Sequence, residues 1–288
     1  MKLAMLGTGH ALVTRCYNAC FALCEDEVPC NRAGVASSAP SNPAASAAPV
    51  FLVDAGGGNG ILSQLERAGI DWRRIHDLFI THTHIDHLMG AVWILRVVCY
   101  GMECGAYAGE LTVWGNDEVI SAVGSLARML LRPSESRFIG ERVFLRAVRD
   151  GEHVPIMGHD TAFFDVRSKG SAKQFGFVME YEPGKRFSCS GDEPLVEANF
   201  PKVEGAAWLV HEAYCLASEE ERFNPHPIHH GTVAEACDTA RRLGVSNLVL
   251  YHTEDEDLSN RKRRYLEEGA RHFAGALHVP DDLETLTL

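Results

Sequence analysis

Four side chains able to hold a metal ion fall within one short run, His82-Thr83-His84-Ile85-Asp86-His87, and its flanks narrow the choice of fold. The apolar segment before it, His76–Thr81, reads as a β-strand. Leu88–Val98 after it reads as a helix that is apolar on every side and therefore buried. On a strand end His82 and His84 share one face, because strand side chains alternate with a period of two. Asp86 and His87 then fall at the helix start, where they can turn toward the same point. Imidazole and carboxylate together suit Zn2+, with Mn2+ or Fe2+ as alternatives. A lone histidine on such an edge is ordinarily structural, and the density of this run is what argues for a metal.

Strand and helix signals alternate on both sides of the run. Met1–Leu6, Ala19–Leu23 and Val50–Asp54 read as strands, and a helix is predicted near Asn59–Ala68, closed by Gly69. Glu110–Trp114 reads as a strand, and Asn116 can cap a helix that runs to Leu131. From Arg142 to Ser190 the pattern is strand-rich. Trp208–Val210 is a strand, and Thr232–Leu243 is a helix with a Thr232/Glu235 capping box. Asn247–Tyr251 is a strand, Asn260–Phe273 a helix, and Leu277–Val279 and Leu283–Leu286 are strands. This order suits an α/β chain with two sheets face to face and helices outside. Residues 24–49, rich in Ala, Ser and Pro, read as a flexible insertion within a hairpin.

Charge and cysteine usage bound the partners. The formal net charge is -12 and no long basic run is present, which counts against nucleic acid as an obligate partner. Nine cysteines show no framework spacing, and Gly7, Gly9, His10 and Arg15 interrupt the apolar stretch a secretion signal needs. No run of 18 or more apolar residues offers a membrane span. Reduced thiols in a cytoplasmic protein are therefore expected. Cys20, Cys24 and Cys30 lack the short pair spacing of a structural zinc site.

The pattern His-x-His-x-Asp-His resembles the signature of the metallo-β-lactamase superfamily, and further motifs are similar to its ribonuclease Z and phosphodiesterase branch. They are Leu6-Gly7-Thr8-Gly9, Val53-Asp54-Ala55-Gly56, Ser190-Gly191-Asp192, His211-Glu212-Ala213, His230-Gly231-Thr232 and His252 after Asn247–Tyr251. The resemblance implies a metallo-β-lactamase fold, a four-layered αββα sandwich of two mixed β-sheets, as one domain over 1–288. It implies one zinc ion held by His82, His84 and Asp192, and another held by Asp86, His87, His252 and the bridging Asp192. In one respect the chain departs from the family, which completes the first site with a histidine just before a Phe-Gly-Phe strand. Here that strand is Phe175-Gly176-Phe177, its neighbourhood holds Arg167, Ser168 and Lys169, and no histidine lies between His159 and His211. Site one is therefore expected to bind weakly, to use water, or to recruit His153 or His159, with the Arg167 cation as another stand-in.

The expected chemistry is hydrolysis by hydroxide from metal-bound water, with Asp86 able to ligate and to accept a proton. His230 lies just ahead of the Thr232 cap, at a helix N-terminus that favours an anionic phosphate. It could hydrogen-bond a phosphoryl oxygen or protonate the leaving group, and the resemblance implies that Glu212 sets its tautomer. His211 ends an apolar strand and reads as a satisfied core histidine. A phosphodiesterase-like hydrolase of a small-molecule ester or phosphodiester is the first reading. A tRNA 3′-processing endoribonuclease, a thioester or lactone hydrolase, and a non-catalytic metal-dependent sensor are the alternatives. The nuclease ranks second because no basic arm lies between His87 and Asp192. A homodimer is usual for the resemblance.

Overall fold

The computed structural model describes residues 1–25, 48–170 and 172–288; most of the Ala/Ser/Pro segment, residues 26–47, and Cys30 lie outside it. Among the described residues the strands form two seven-stranded sheets. The first comprises β1 (Lys2–Gly7), β2 (Cys20–Cys24), β3 (Val50–Val53), β4 (Ile75–Phe79), β5 (Leu111–Gly115), β6 (Val143–Ala147) and the C-terminal β14 (Thr285–Thr287). Its order is β14-β1-β2-β3-β4-β5-β6, antiparallel from β14 to β3 and parallel from β3 to β6.

The second sheet comprises β7 (His153–Ile156), β8 (His159–Asp165), β9 (Phe175–Glu182), β10 (Lys185–Cys189), β11 (Trp208–Glu212), β12 (Asn247–Tyr251) and β13 (Ala276–His278). Its order is β13-β12-β11-β10-β9-β8-β7, parallel from β10 to β13 and antiparallel elsewhere.

The inner strands β2, β3 and β11 are buried along their whole length because both of their faces are covered. In β2, Phe21 and Leu23 point between the sheets, whereas Cys20, Ala22 and Cys24 pack in the outer layer under the helices. In β12, Val249 and Tyr251 face the middle and Leu248 and Leu250 face the other outer layer. The middle layer is aromatic: Phe51 meets Phe177 edge to face at 5.4 Å, and Phe79 lies 4.9 Å from Phe163. Each fully buried Phe contributes about 1.5–3 kcal/mol from area alone. With helices on both outer faces, the molecule is the expected αββα sandwich of mixed sheets.

Helices α1 (Gly60–Arg67), α2 (Ile85–Glu103) and α3 (Asp117–Leu130) cover the first sheet, and helices Val233–Arg242 and Leu258–Gly269 cover the second. The Asn116 side chain caps α3 through Glu118 and Val119 N–H, and the Thr232/Glu235 capping box forms as its spacing predicts. Helix α2 departs from expectation twice. It begins at Ile85, inside the histidine run, and extends to Glu103, so it reaches the length and apolarity of a membrane span, although 67% of that stretch is buried in the protein. Nor is it buried on every side: α1 and α3 flank it, leaving Ile85, Trp93 and Tyr100 exposed on its outer face.

Candidate metal centre

The site lies where the C-terminal ends of β4, β10 and β12 come together across the two sheets. β4 stops at Phe79, so His82 and His84 stand on a loop and not on the strand end their spacing suggests. His84 occupies the N-cap position of α2 in extended backbone, and its carbonyl accepts the N–H of Leu88. The loop still turns the two rings together, with His82 Nε2 2.8 Å from His84 Nδ1. Asp86 and His87 follow on the first turn of α2. Asp192 arrives from the Ser190-Gly191-Asp192 turn after β10. His252 follows β12 in left-handed backbone, φ 55°.

Four of these groups enclose one point. His87 Nε2 lies 3.3 Å from Asp86 Oδ2 and 3.3 Å from Asp192 Oδ2, and His252 Nε2 lies 3.5 Å from each of the same two oxygens. Donor atoms bonded tetrahedrally to a zinc-like ion at about 2.1 Å stand roughly 3.4 Å apart, and these four separations match that spacing. Both Nε2 atoms are buried and have no hydrogen-bond partner among the described residues. An orphaned buried nitrogen is costly unless something else fills the position, and the donor set fits a divalent ion. His82 Nε2 stands 3.5 Å from the same Asp192 oxygen, and His84 is exposed beside it.

The electrostatics favour a cation at this point. Burial pushes His82 down to about 3. Burial opposes ionisation of Asp86 and Asp192 as well, yet the clustered histidines hold both carboxyls below the usual carboxylate range. Burial also works against a charged His87, but Asp54 and Asp86 raise it well above the ordinary histidine value. Asp54 accepts from His87 Nδ1 at 2.8 Å and from the Thr81 N–H at 2.9 Å, and the Thr81 hydroxyl contacts His82 Nδ1 at 2.9 Å. One buried carboxylate thus orients His87 directly and His82 through Thr81, so that the Nε2 atom of each turns toward Asp192. Asp54 entered the sequence reading only as part of a turn. Its left-handed φ of 55° was the residue-level feature that no spacing rule records.

The other sequence candidates fall in different places. His230 sits at the rim, its ring stacked on Tyr214 at 5.2 Å and tilted against His252 at 4.9 Å. Its Nδ1 donates to the Asp192 carbonyl at 2.8 Å, which leaves Nε2 as the bare nitrogen. Burial, then the neighbouring His252, push His230 down to about 4, so the ring is neutral near pH 7. Glu212 Oε2 stays 3.9 Å from that ring, and its Oε1 accepts the Gly231 N–H at 2.8 Å. Glu212 thereby fixes the loop that carries His230, and the tautomer is set by the Asp192 carbonyl. Burial raises the Glu212 carboxyl well above its usual range. His211 uses both ring nitrogens, on the Glu212 carbonyl and the Leu195 N–H, as a satisfied core histidine does.

Neither suggested replacement ligand comes near. His153 and His159 begin strands of the hairpin at the far edge of the second sheet, where they face Asp160 and Glu25 at 3.0 Å. Arg167 is exposed, and its charge acts on Asp150. The side chain that stands against Asp192 is Gln174, directly ahead of β9. It is buried, donates from Nε2 to Asp192 Oδ1, and accepts the Asp192 N–H on Oε1 at 3.0 Å. Sequence reasoning passed over it because a search for ligand-competent charge ignores a neutral amide. Beside His230 opens a cleft of about 460 Å3 whose wall includes Lys169, Glu193, Phe200, His229 and Arg242.

Known proteins resemble this chain in sequence and in fold. Residues 50–253 match the Beta-lactamase superfamily domain. A ribonuclease Z of Mycolicibacterium paratuberculosis is 27% identical over 267 residues, covering 88% of this chain and 91% of that protein. Among solved structures, the metallo-beta-lactamase fold protein YhfI from Bacillus subtilis superposes with a TM-score of 0.74 at 14% identity, covering 99% of this chain and 98% of that one. Human tRNase Z, short form, superposes with a TM-score of 0.67 at 18% identity, covering 100% and 99%.

Proposed function

The chain belongs to the Beta-lactamase superfamily, and from that premise we propose that it is a zinc-dependent hydrolase of small phosphodiesters. The observation that carries the reading is the ring of Asp86, His87, Asp192 and His252 atoms at 3.3–3.5 Å spacing, two of whose members are orphaned imidazole nitrogens. Tetrahedral nitrogen and oxygen donors suit zinc best, with manganese or iron as substitutes. A divalent ion held there supplies Lewis-acid charge and makes water acidic enough to ionise near neutral pH.

The surrounding residues supply the rest. Asp54 and Thr81 hold His87 and His82 in the tautomers that present Nε2. His230, neutral and bonded through Nδ1 to the Asp192 carbonyl, offers its bare Nε2 to a proton. It therefore acts first as acceptor, and it delivers a proton to a leaving oxygen only after gaining one. Asp86 is the carboxylate placed to orient the attacking water.

Ribonuclease Z activity is the second reading, favoured by the 27% identical relative of that name. The net charge of -12 weighs against a long polyanionic substrate. A non-catalytic sensor is disfavoured by membership of a hydrolase superfamily together with a complete second site. The test is a panel assay on chelated, then zinc-reconstituted protein, with bis-p-nitrophenyl phosphate, thymidine monophosphate esters, a precursor tRNA, a thioester and a lactone. Metal-dependent turnover of the small phosphodiesters is expected. Turnover of the tRNA alone would establish the second reading, and turnover of the lactone or thioester alone would refute both.

A further inference from the structure

The two halves of the centre are not equally equipped, and Gln174 is where they differ. In the half built on Asp86, His87 and His252, both imidazole Nε2 atoms lie 3.3–3.5 Å from Asp192 Oδ2, and Asp86 Oδ2 lies equally near both of them. The other half brings His82 Nε2 and His84 Nδ1. Beside it the Gln174 carboxamide spends both ends on Asp192: Nε2 donates to Oδ1, and Oε1 accepts the backbone N–H at 3.0 Å.

The position of Gln174 is enforced. The N–H of Phe175 donates to the Thr81 carbonyl at 2.9 Å, which pins position 174 beside His82 across the two sheets. Gly191 completes the pocket: a Cβ there would lie 2.2 Å from Gln174 Oε1, and its φ of 78° suits glycine. The carboxamide is thus packed against the turn that presents Asp192. A proton directed at Oδ1 leaves Oδ2 as the oxygen that faces His82, His87 and His252. A neutral amide also brings far less donor strength to a divalent ion than an imidazole does.

We propose that Gln174 is a positioning residue in a one-ion centre: it holds Asp192 through Oδ1 and the backbone N–H so that Oδ2 is the oxygen presented to an ion, and it leaves the His82 and His84 half without a third strong donor. The proposal rests on the metal-centre reading above. Zinc fills the complete half first, and the second position fills only at high zinc. His82 and His84 then contribute imidazole donors to water and substrate at the open side of the ion.

The test is metal content by inductively coupled plasma mass spectrometry after dialysis against buffered zinc, paired with electron paramagnetic resonance of cobalt-loaded protein. Wild type is expected to retain about one equivalent and to show the signal of an isolated cobalt ion. Gln174→His supplies the missing imidazole and should retain about two, with the isolated signal lost to spin coupling. Gln174→Ala should stay at one equivalent with affinity lower by about tenfold, as for loss of an outer-shell partner. Two tightly held equivalents in wild type would overturn the one-ion proposal while leaving the centre intact. So would a folded Gln174→His protein that stays at one. Wild type that retains no zinc would overturn the metal-centre reading itself, and this inference with it.

Discussion

Asp54 shows how a residue that touches no substrate can decide whether a centre works. Its carboxylate accepts from His87 and Thr81, and Thr81 relays the constraint to His82. Asn keeps the size of Asp and tolerates left-handed backbone, so Asp54→Asn isolates the charge from the shape. Zinc affinity should fall by about 10–100-fold, the usual loss when an outer-shell partner of a ligand is removed. Competition with a chromophoric chelator measures it, and unchanged affinity would remove Asp54 from the centre. Residues of this kind are also the hardest to read from sequence. The histidine run declares itself because its four groups are local. Asp54 acts through His87, 33 positions away, and Gln174 through Asp192, so their roles depend on how two sheets register against each other. No periodicity carries that information.

At the level of elements, the site depends on how closely α2 lies against the turn after β3. Ala55 N–H donates to the His87 carbonyl at 3.0 Å, and Gly90 N–H donates to the Gly56 carbonyl at 2.8 Å. A Cβ on Gly90 would meet the Ala55 carbonyl oxygen at 1.8 Å. Helix propensity alone predicts that Gly90→Ala stabilises by about 1 kcal/mol. The collision reverses the sign: forcing the helix off the turn costs about 1–3 kcal/mol as overpacking does, and it separates His87 from Asp54. Chemical denaturation should show a net loss of stability with a parallel loss of zinc affinity; a gain would mean that the helix is free to shift. Element types followed well from pattern, since caps at Asn116 and Thr232 are local chemistry. The boundaries of α2 did not. Its start lies inside the histidine run because the cap is a histidine in extended backbone, which no capping rule anticipates.

Considered as a whole, the molecule is two half-sandwiches that share the aromatic middle layer, with the metal groups drawn from both. Asp86 and His87 belong to the first sheet's side, Asp192 and His252 to the second. An ion bound by all four ties the halves together and stabilises only the folded state. At a hundredfold excess over Kd the gain is about 2.7 kcal/mol, and in a domain of this size each kcal/mol moves Tm by roughly 2–4 °C. Zinc should therefore raise Tm by several degrees in a single transition, and His252→Ala should abolish most of the increase. Separate transitions for the two halves would instead mean that they fold independently. The overall topology was legible from the strand-helix order and the motif order, and the asymmetry between the metal positions from the histidine missing ahead of Phe175-Gly176-Phe177, whereas the hold of Gln174 on Asp192 was not legible. The most direct measurement is hydrolysis of bis-p-nitrophenyl phosphate by chelated protein titrated with zinc. Wild type should regain activity in step with the first equivalent bound, and His252→Ala should not recover at that zinc concentration. Activity that survives complete chelation, or that returns equally in both proteins, would contradict a catalytic ion held by Asp86, His87, Asp192 and His252.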